Sequence, residues 1–184
     1  GEDCSTACHR LGLDPASTVA IDFTAIDRQH LTVMSAPGGG AAAGRVADWL
    51  RGQGLAVEVI QDSPGFVLQR ILAMVANLGC ELAQIGVGAP SDIDTAMKLA
   101  QNYPLGPLEW AEKLGVANTL KIMETLQRIT GSDRYRPSLW LRRRALLGNR
   151  LPAQVPAHRQ CRQDDRRADH ALVALRRRLG LEAF

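Results

Sequence analysis

Asp62-Ser63-Pro64-Gly65-Phe66-Val67-Leu68-Gln69-Arg70 is the stretch on which the reading of this 184-residue chain turns. Ser63 is a fitting N-cap and Pro64 a fitting first helical residue, because the N–H that proline lacks is unpaired there in any helix. Val67, Ile71, Met74, Val75, Leu78, Leu82 and Ile85 then recur at helical spacing. This predicts a long helix opened by Ser63, with a broad apolar face.

Upstream of this stretch the pattern is of the α/β kind. Ser5–Leu11 reads as a short helix ended by Gly12, and Thr18–Phe23 as a strand after the turn signal Asp14-Pro15. Leu31–Met34 is a second strand. Ala41–Gly52 reads as a helix with Val46, Trp49 and Leu50 on one face, and Leu55–Ile60 as a third strand. The expectation is a fragment of parallel sheet with crossover helices, too small for a complete nucleotide-binding domain.

Downstream, helix follows helix. Ser91 and Asp94 form a capping-box-like pair opening a helix that runs to about Gln101. Tyr103-Pro104-Leu105-Gly106-Pro107 is a rigid turn, since two prolines flank a glycine. Leu108–Leu114, Ala117–Thr130 and Leu139–Leu147 read as further helices, each closed by a glycine at 115, 131 or 148. The expected domains are therefore 1–62 (α/β), 63–148 (helical) and 149–184, an Arg-rich tail that carries Leu172, Leu175 and Leu179 and is not expected to be needed for folding.

Composition narrows the function. The chain is 46% hydrophobic and 22% charged, as in a soluble globular protein. The longest uncharged run near the middle, Ile71–Cys80, is far short of the ~20 residues that span a bilayer. No secretory signal is expected, and a cytoplasmic location is. The net charge of +3 arises in the tail, where residues 150–178 hold eight arginines, so no nucleic-acid partner is expected. Gly1 is not an initiator methionine, and the chain reads as a piece of a longer protein.

Two features could be mistaken for sites. Cys4 and Cys8, with His9 beside them, share one helix turn, but zinc needs two more ligands, so no metal is expected and Cys4, Cys8, Cys80 and Cys161 read as free thiols. Gly38-Gly39-Gly40 with Gly44 sits where a phosphate-cradling loop would, yet the spacing is not G-x-G-x-x-G. A flexible turn before an alanine-rich helix is the expectation.

The order Asp62-Ser63-Pro64-Gly65-Phe66, Gln69-Arg70, Asp92-Ile93-Asp94, Tyr103-Pro104-Leu105-Gly106-Pro107 resembles the 3-hydroxyacyl-CoA dehydrogenase family. That family's helical domain opens with D-[ST]-P-G-F-x-x-N-R and continues with D-I-D and a P-x-G-P loop. The resemblance covers Thr18 to about Gly148. It implies a mixed α/β, mainly α fold: a reduced Rossmann-like α/β segment followed by the helical C-terminal domain. It also implies oxidation of a 3-hydroxyacyl-CoA to the 3-keto form, with a His base, a Glu orienting it, an Asn on the substrate oxygen, and NAD as hydride acceptor.

Laid on this chain, the resemblance puts Asp22 in place of the His, Met34 in place of the Glu and Gln69 in place of the Asn. An exposed Asp, with a pKa of roughly 4, is a poor base near pH 7. Met offers an imidazole no useful acceptor, and Gln69 moves the amide by one methylene. His9, His30, His158 and His170 match no catalytic position. The expectation is a degenerate, non-catalytic repeat with no catalytic residue and no cofactor site of its own, NAD belonging to the full-length enzyme. Gln69, Pro104, Gly106 and Pro107 are the substrate-facing candidates. Its expected partner is the catalytic half of the same polypeptide or a second copy, paired through the helical domain, with acyl-CoA as ligand. The alternative is an acyl-CoA or protein-binding module without chemistry.

Overall fold

A computed structural model describes residues 1–148, so the tail with His158, Cys161, His170 and the leucines noted above lies outside the described residues. The described residues form two compact units, Asp3–Phe66 on one side and Gly1–Glu2 with Val67 onward on the other.

In the first unit, α1 (Cys4–Leu11) begins at the N-cap Asp3, whose carboxylate accepts from the Thr6 N–H at 2.6 Å, and ends at Gly12 in the left-handed region. Strands β1 (Val19–Asp22), β2 (His30–Ser35) and β3 (Ala56–Ile60) form one sheet in the order β1-β2-β3. Helix α2 (Gly40–Gly52) joins β2 to β3. The expected parallel sheet is corrected here to a mixed one: β1 runs antiparallel to β2, and only β2 and β3 are parallel. Chain length explains the difference. A parallel crossover needs roughly a dozen residues or more; positions 23–29 between β1 and β2 are too few, whereas 36–55 hold the whole of α2.

The strand alternation divides this unit into two packed layers. Leu31 and Val33 meet Ala43, Ala47 and Leu50 of α2 on one face; on the other, Met34 meets Cys4, Cys8, Ala36 and Phe66. The α2 face also differs from expectation. Small Ala42, Ala43 and Ala47 are buried with Leu50 while Trp49 is exposed, because alanines let the helix axis come close to the sheet. In the glycine turn before α2, Gly39 is closely packed, whereas Gly38 and Gly40 face open space. A side chain on Gly39 would meet the Pro15 carbonyl oxygen at 2.7 Å and Ser35 Cβ at 2.9 Å.

The second unit contains α3 (Leu68–Gln84), α4 (Pro90–Gln101), α5 (Pro107–Leu114), α6 (Val116–Thr130) and α7 (Leu139–Leu147). Helix α3 is central: its Ala73, Ala76 and Cys80 pack with Leu108 and Ala111 of α5, Leu120 and Met123 of α6, and Leu141 of α7. Two helix starts are corrected. Gly65 and Phe66 lie at φ 70° and 49°, so the chain turns through the left-handed region and α3 opens at Leu68, not behind a Ser63 cap. Helix α4 starts at Pro90 with Ala89 as N-cap, so Ser91 and Asp94 are not its capping pair.

The inside of α3 is its small-residue face, not the apolar stripe. The buried positions are Leu72, Ala73, Ala76, Asn77, Gly79 and Cys80, mostly small, whereas Ile71, Leu78 and Ile85 of the apolar stripe are 49%, 60% and 64% exposed. Asn77 is buried with both ends of its amide used: Nδ2 donates to the Arg136 carbonyl at 3.1 Å and Oδ1 accepts from the Ser138 N–H at 2.8 Å. About two turns later, Gln84 Oε1 accepts from the Trp140 N–H at 2.8 Å. Together these bonds seat the start of α7 on α3, where Ser138 Oγ in turn caps the Leu141 N–H. No helix of the described residues is long and apolar enough to cross a membrane.

Candidate functional site

Asp22 ends β1, and the sequence expectation of an exposed carboxylate is corrected: the residue is 3% exposed. Its Oδ1 accepts from the Thr24 N–H at 3.0 Å and from the Thr24 hydroxyl, an Asx-type turn that leads the chain out of the strand. Met34 is fully buried among Cys4, Cys8, Ala36 and Phe66. The antiparallel register pairs Ala20 with Met34 and Asp22 with Thr32. Asp22 and Met34 therefore lie on the same face of the sheet as diagonal neighbours, a separation of about 7–8 Å between backbone positions. The frame on which two side chains could act together is present; the side chains on it are a turn carboxylate and a core thioether.

The other candidates lie in the helical unit. Gln69 sits in the first turn of α3, its Oε1 3.4 Å from the Gly1 amine. Pro104 is exposed, while Gly106 and Pro107 are buried. A side chain on Gly79 would overlap Pro107, so α5 starts directly against α3 at that glycine. Ten residues of α3 separate Gln69 from Gly79, about 15 Å at 1.5 Å per residue. The structure thus brings Gly106 and Pro107 together at one corner and leaves Gln69 at the far end of the helix.

Three acidic or amide groups have structural roles that the sequence alone did not reveal. Asp62, the first residue of the decisive stretch, accepts from the Cys4 N–H at 2.7 Å, and its other oxygen from the Ser5 N–H at 3.0 Å and the Ser5 hydroxyl. It satisfies donors that a helix start leaves unpaired, and places a negative charge at the positive end of α1. Asn77 is the second, described above. The third is Asp94, 7% exposed, whose Oδ1 accepts from the Leu108 N–H at 2.7 Å. Burial pushes its carboxyl above the usual range, against the pull of the amides it binds. One signal for it was legible: Glu109 stands at the third position of α5, half of a capping box, behind a glycine that has no side chain to complete it.

Burial raises the Cys4 thiol and pushes Cys80 up to about 12, so neither is a ready nucleophile. Among the described residues no three His, Cys, Asp or Glu side chains gather to hold a metal ion.

Residues 65–152 match the 3-hydroxyacyl-CoA dehydrogenase C-terminal domain. The 3-hydroxyadipyl-CoA dehydrogenase of Escherichia coli strain K12 is 46% identical over 99 residues, 54% of this chain and 21% of that protein. The crystal structure of 3-hydroxybutyryl-CoA dehydrogenase from Escherichia coli K12 superposes with a TM-score of 0.71 at 40% identity, covering 80% of this chain and 30% of that one. That of (S)-3-hydroxybutyryl-CoA dehydrogenase from Ralstonia eutropha gives a TM-score of 0.62 at 28% identity, covering 65% and 43%. The chain spans less than half the length of each of these relatives. The fold, mainly helical with a small three-stranded sheet, is shared with the matched parts of these enzymes, and residues 65–152 are identified as the C-terminal domain of the 3-hydroxyacyl-CoA dehydrogenase family.

Proposed function

We propose that this chain is a non-catalytic repeat of an NAD-dependent 3-hydroxyacyl-CoA dehydrogenase of acyl-CoA degradation in the cytoplasm, serving in helical pairing and in shaping the acyl-CoA site. The observation that carries this reading is the state of the two positions where the resemblance puts the base and its orienting acid. Asp22 is committed to the Thr24 turn and Met34 to apolar packing. Neither can take a proton from a substrate hydroxyl near pH 7 in that arrangement, since a carboxylate is a weak base there and a thioether none. NAD belongs to the complete enzyme, and no residue of this chain is assigned to it. Ile71, Leu78 and Ile85, aligned along one side of α3 and more than 45% exposed, support pairing with the catalytic half or with a second copy. Gln69 and Pro104, which have accessible surface, are the residues assigned to acyl-CoA contact, with Gly106 and Pro107 shaping the turn beneath Pro104.

Titration calorimetry with NAD and acetoacetyl-CoA separately, beside an NADH oxidation assay, tests this. The expected result is no turnover, no NAD binding and weak acetoacetyl-CoA binding. Turnover proportional to protein and above the buffer blank overturns it. The same exposed stripe also supports a second reading, a binding module without chemistry; tight acetoacetyl-CoA binding by the isolated monomer favours that one.

A further inference from the structure

Helix α5 lacks the side chain that ordinarily caps a helix. Its N-cap is Gly106, and a Cβ there would overlap the Asp94 carboxylate and backbone. Asp94 belongs to α4, fourteen positions earlier than the Leu108 whose N–H it accepts at 2.7 Å. Glu109 supplies the return half of the arrangement: its Oε2 accepts from the Gly106 N–H at 2.7 Å, and its Oε1 holds Lys98 Nζ of α4 at 2.7 Å. The box that one helix normally completes alone is split between two. Gly106 is glycine because the borrowed carboxylate occupies the space of its side chain.

We propose that Asp94 is a positioning residue for the 103–107 turn: its carboxylate, supplied from α4, holds the start of α5 and thereby the placement of Pro104. The wider consequence rests on the assignment of that turn to acyl-CoA made above. Both prolines restrict the turn internally, but rigidity within the turn does not say where it sits. Two contacts do. Pro107 is wedged on Gly79 of α3, and Leu108 N–H is tied to Asp94. The first is apolar contact, which tolerates sliding; the second is directional. The charged groups facing Asp94 are Lys98 on its own helix and Glu109 on α5, with the Cys80 thiol of α3 close enough to feel its charge. Losing the acceptor leaves Leu108 N–H buried without a partner, so the helix start must open to water.

Amide hydrogen exchange on the full chain, with acetoacetyl-CoA calorimetry on the same samples, tests the role. Asp94→Asn keeps an acceptor oxygen and is expected to leave Leu108 protected. Asp94→Leu fills similar space without an acceptor, and is expected to speed Leu108 and Gly106 exchange on the order of tenfold, leave α6 and α7 unchanged, and weaken acetoacetyl-CoA binding several-fold. Gly106→Ala, which drives a methyl into Asp94, is expected to have the same local effect and serves if Asp94→Leu does not fold. Unchanged exchange at Leu108 in both variants overturns the positioning role. Accelerated exchange with unchanged acetoacetyl-CoA affinity overturns its consequence for the ligand. Accelerated exchange where the unaltered chain itself binds no acetoacetyl-CoA upholds Asp94 and sinks the acyl-CoA assignment of the turn instead.

Discussion

The α/β unit and the helical unit differ in what stands at the positions that the family resemblance singles out. In the helical unit, buried polar groups are architecture: Asn77 and Gln84 seat α7, and Asp94 starts α5. In the α/β unit, the two positions at which the resemblance expects chemistry, Asp22 and Met34, have been absorbed into a turn and a core. The D-I-D and P-x-G-P motifs persist where they hold helices together. On the proposed reading, the family's base and its orienting acid are replaced at Asp22 and Met34. The difference between the units is what the non-catalytic reading predicts, and it can be attacked directly.

The largest effect is expected from placing an acid at position 34. Met34→Glu puts a carboxyl among Cys4, Cys8, Ala36 and Phe66, and should cost several kcal/mol at pH 7. A buried carboxyl takes up a proton more readily, so the loss should shrink as pH falls towards 5. Urea midpoints at the two pH values check this. A Met34→Glu chain as stable as the original would mean that the site still accommodates the family acid, and that the two units differ less than described.

Next, Leu141→Ala and Leu50→Ala each remove a fully buried side chain, one from each unit, and each should cost about 2–5 kcal/mol. Calorimetry should show Leu141→Ala lowering the transition of the helical unit and Leu50→Ala that of the α/β unit. A single transition moved equally by both would show that the two units melt as one.

A smaller effect concerns pH. Burial raises the Asp94 carboxyl in the folded chain above its unfolded value of about 4. The folded state thus holds that proton more tightly. The resulting stabilisation is complete below the unfolded pKa and is lost as pH rises through the folded one. Asp94→Asn, which carries no charge, should flatten this part of the stability curve between the two values. An unchanged slope there would show that the cap bonds, not burial, govern this carboxyl.

The smallest change in stability is expected at Leu78, which is 60% exposed. Leu78→Glu should alter the monomer's unfolding free energy in urea by less than about 0.5 kcal/mol, yet abolish association if α3 is the pairing face. Sedimentation equilibrium decides it: a wild type that stays monomeric at tens of micromolar refutes the pairing, and a dimer indifferent to Leu78→Glu moves it elsewhere.

Much of this molecule was legible in its amino-acid order. Glycines at 12, 115, 131 and 148 end helices where a chain without a Cβ can turn, three strands fall where β-branched runs stand, and the motif series points to the helical family domain. Local chemistry suffices for such features, because capping, turning and periodicity are decided within a few residues. The mixed sheet was within reach as well, since the short link at 23–29 forbids a parallel crossover.

What only the tertiary structure decided is which partners distant residues find. Periodicity finds an apolar stripe on α3 but not the direction it faces; the inside went to Ala73, Ala76, Gly79 and Cys80, because small residues let α5, α6 and α7 come close. Spacing likewise made Asp94 a partner for Ser91 in its own helix, when its partner lies fourteen residues on in another. A Ser63 cap followed from sequence alone, and the left-handed turn at Gly65 and Phe66 moved the helix start to Leu68. Those outcomes depend on shape and burial between segments far apart in the chain, energies that no local window of residues contains.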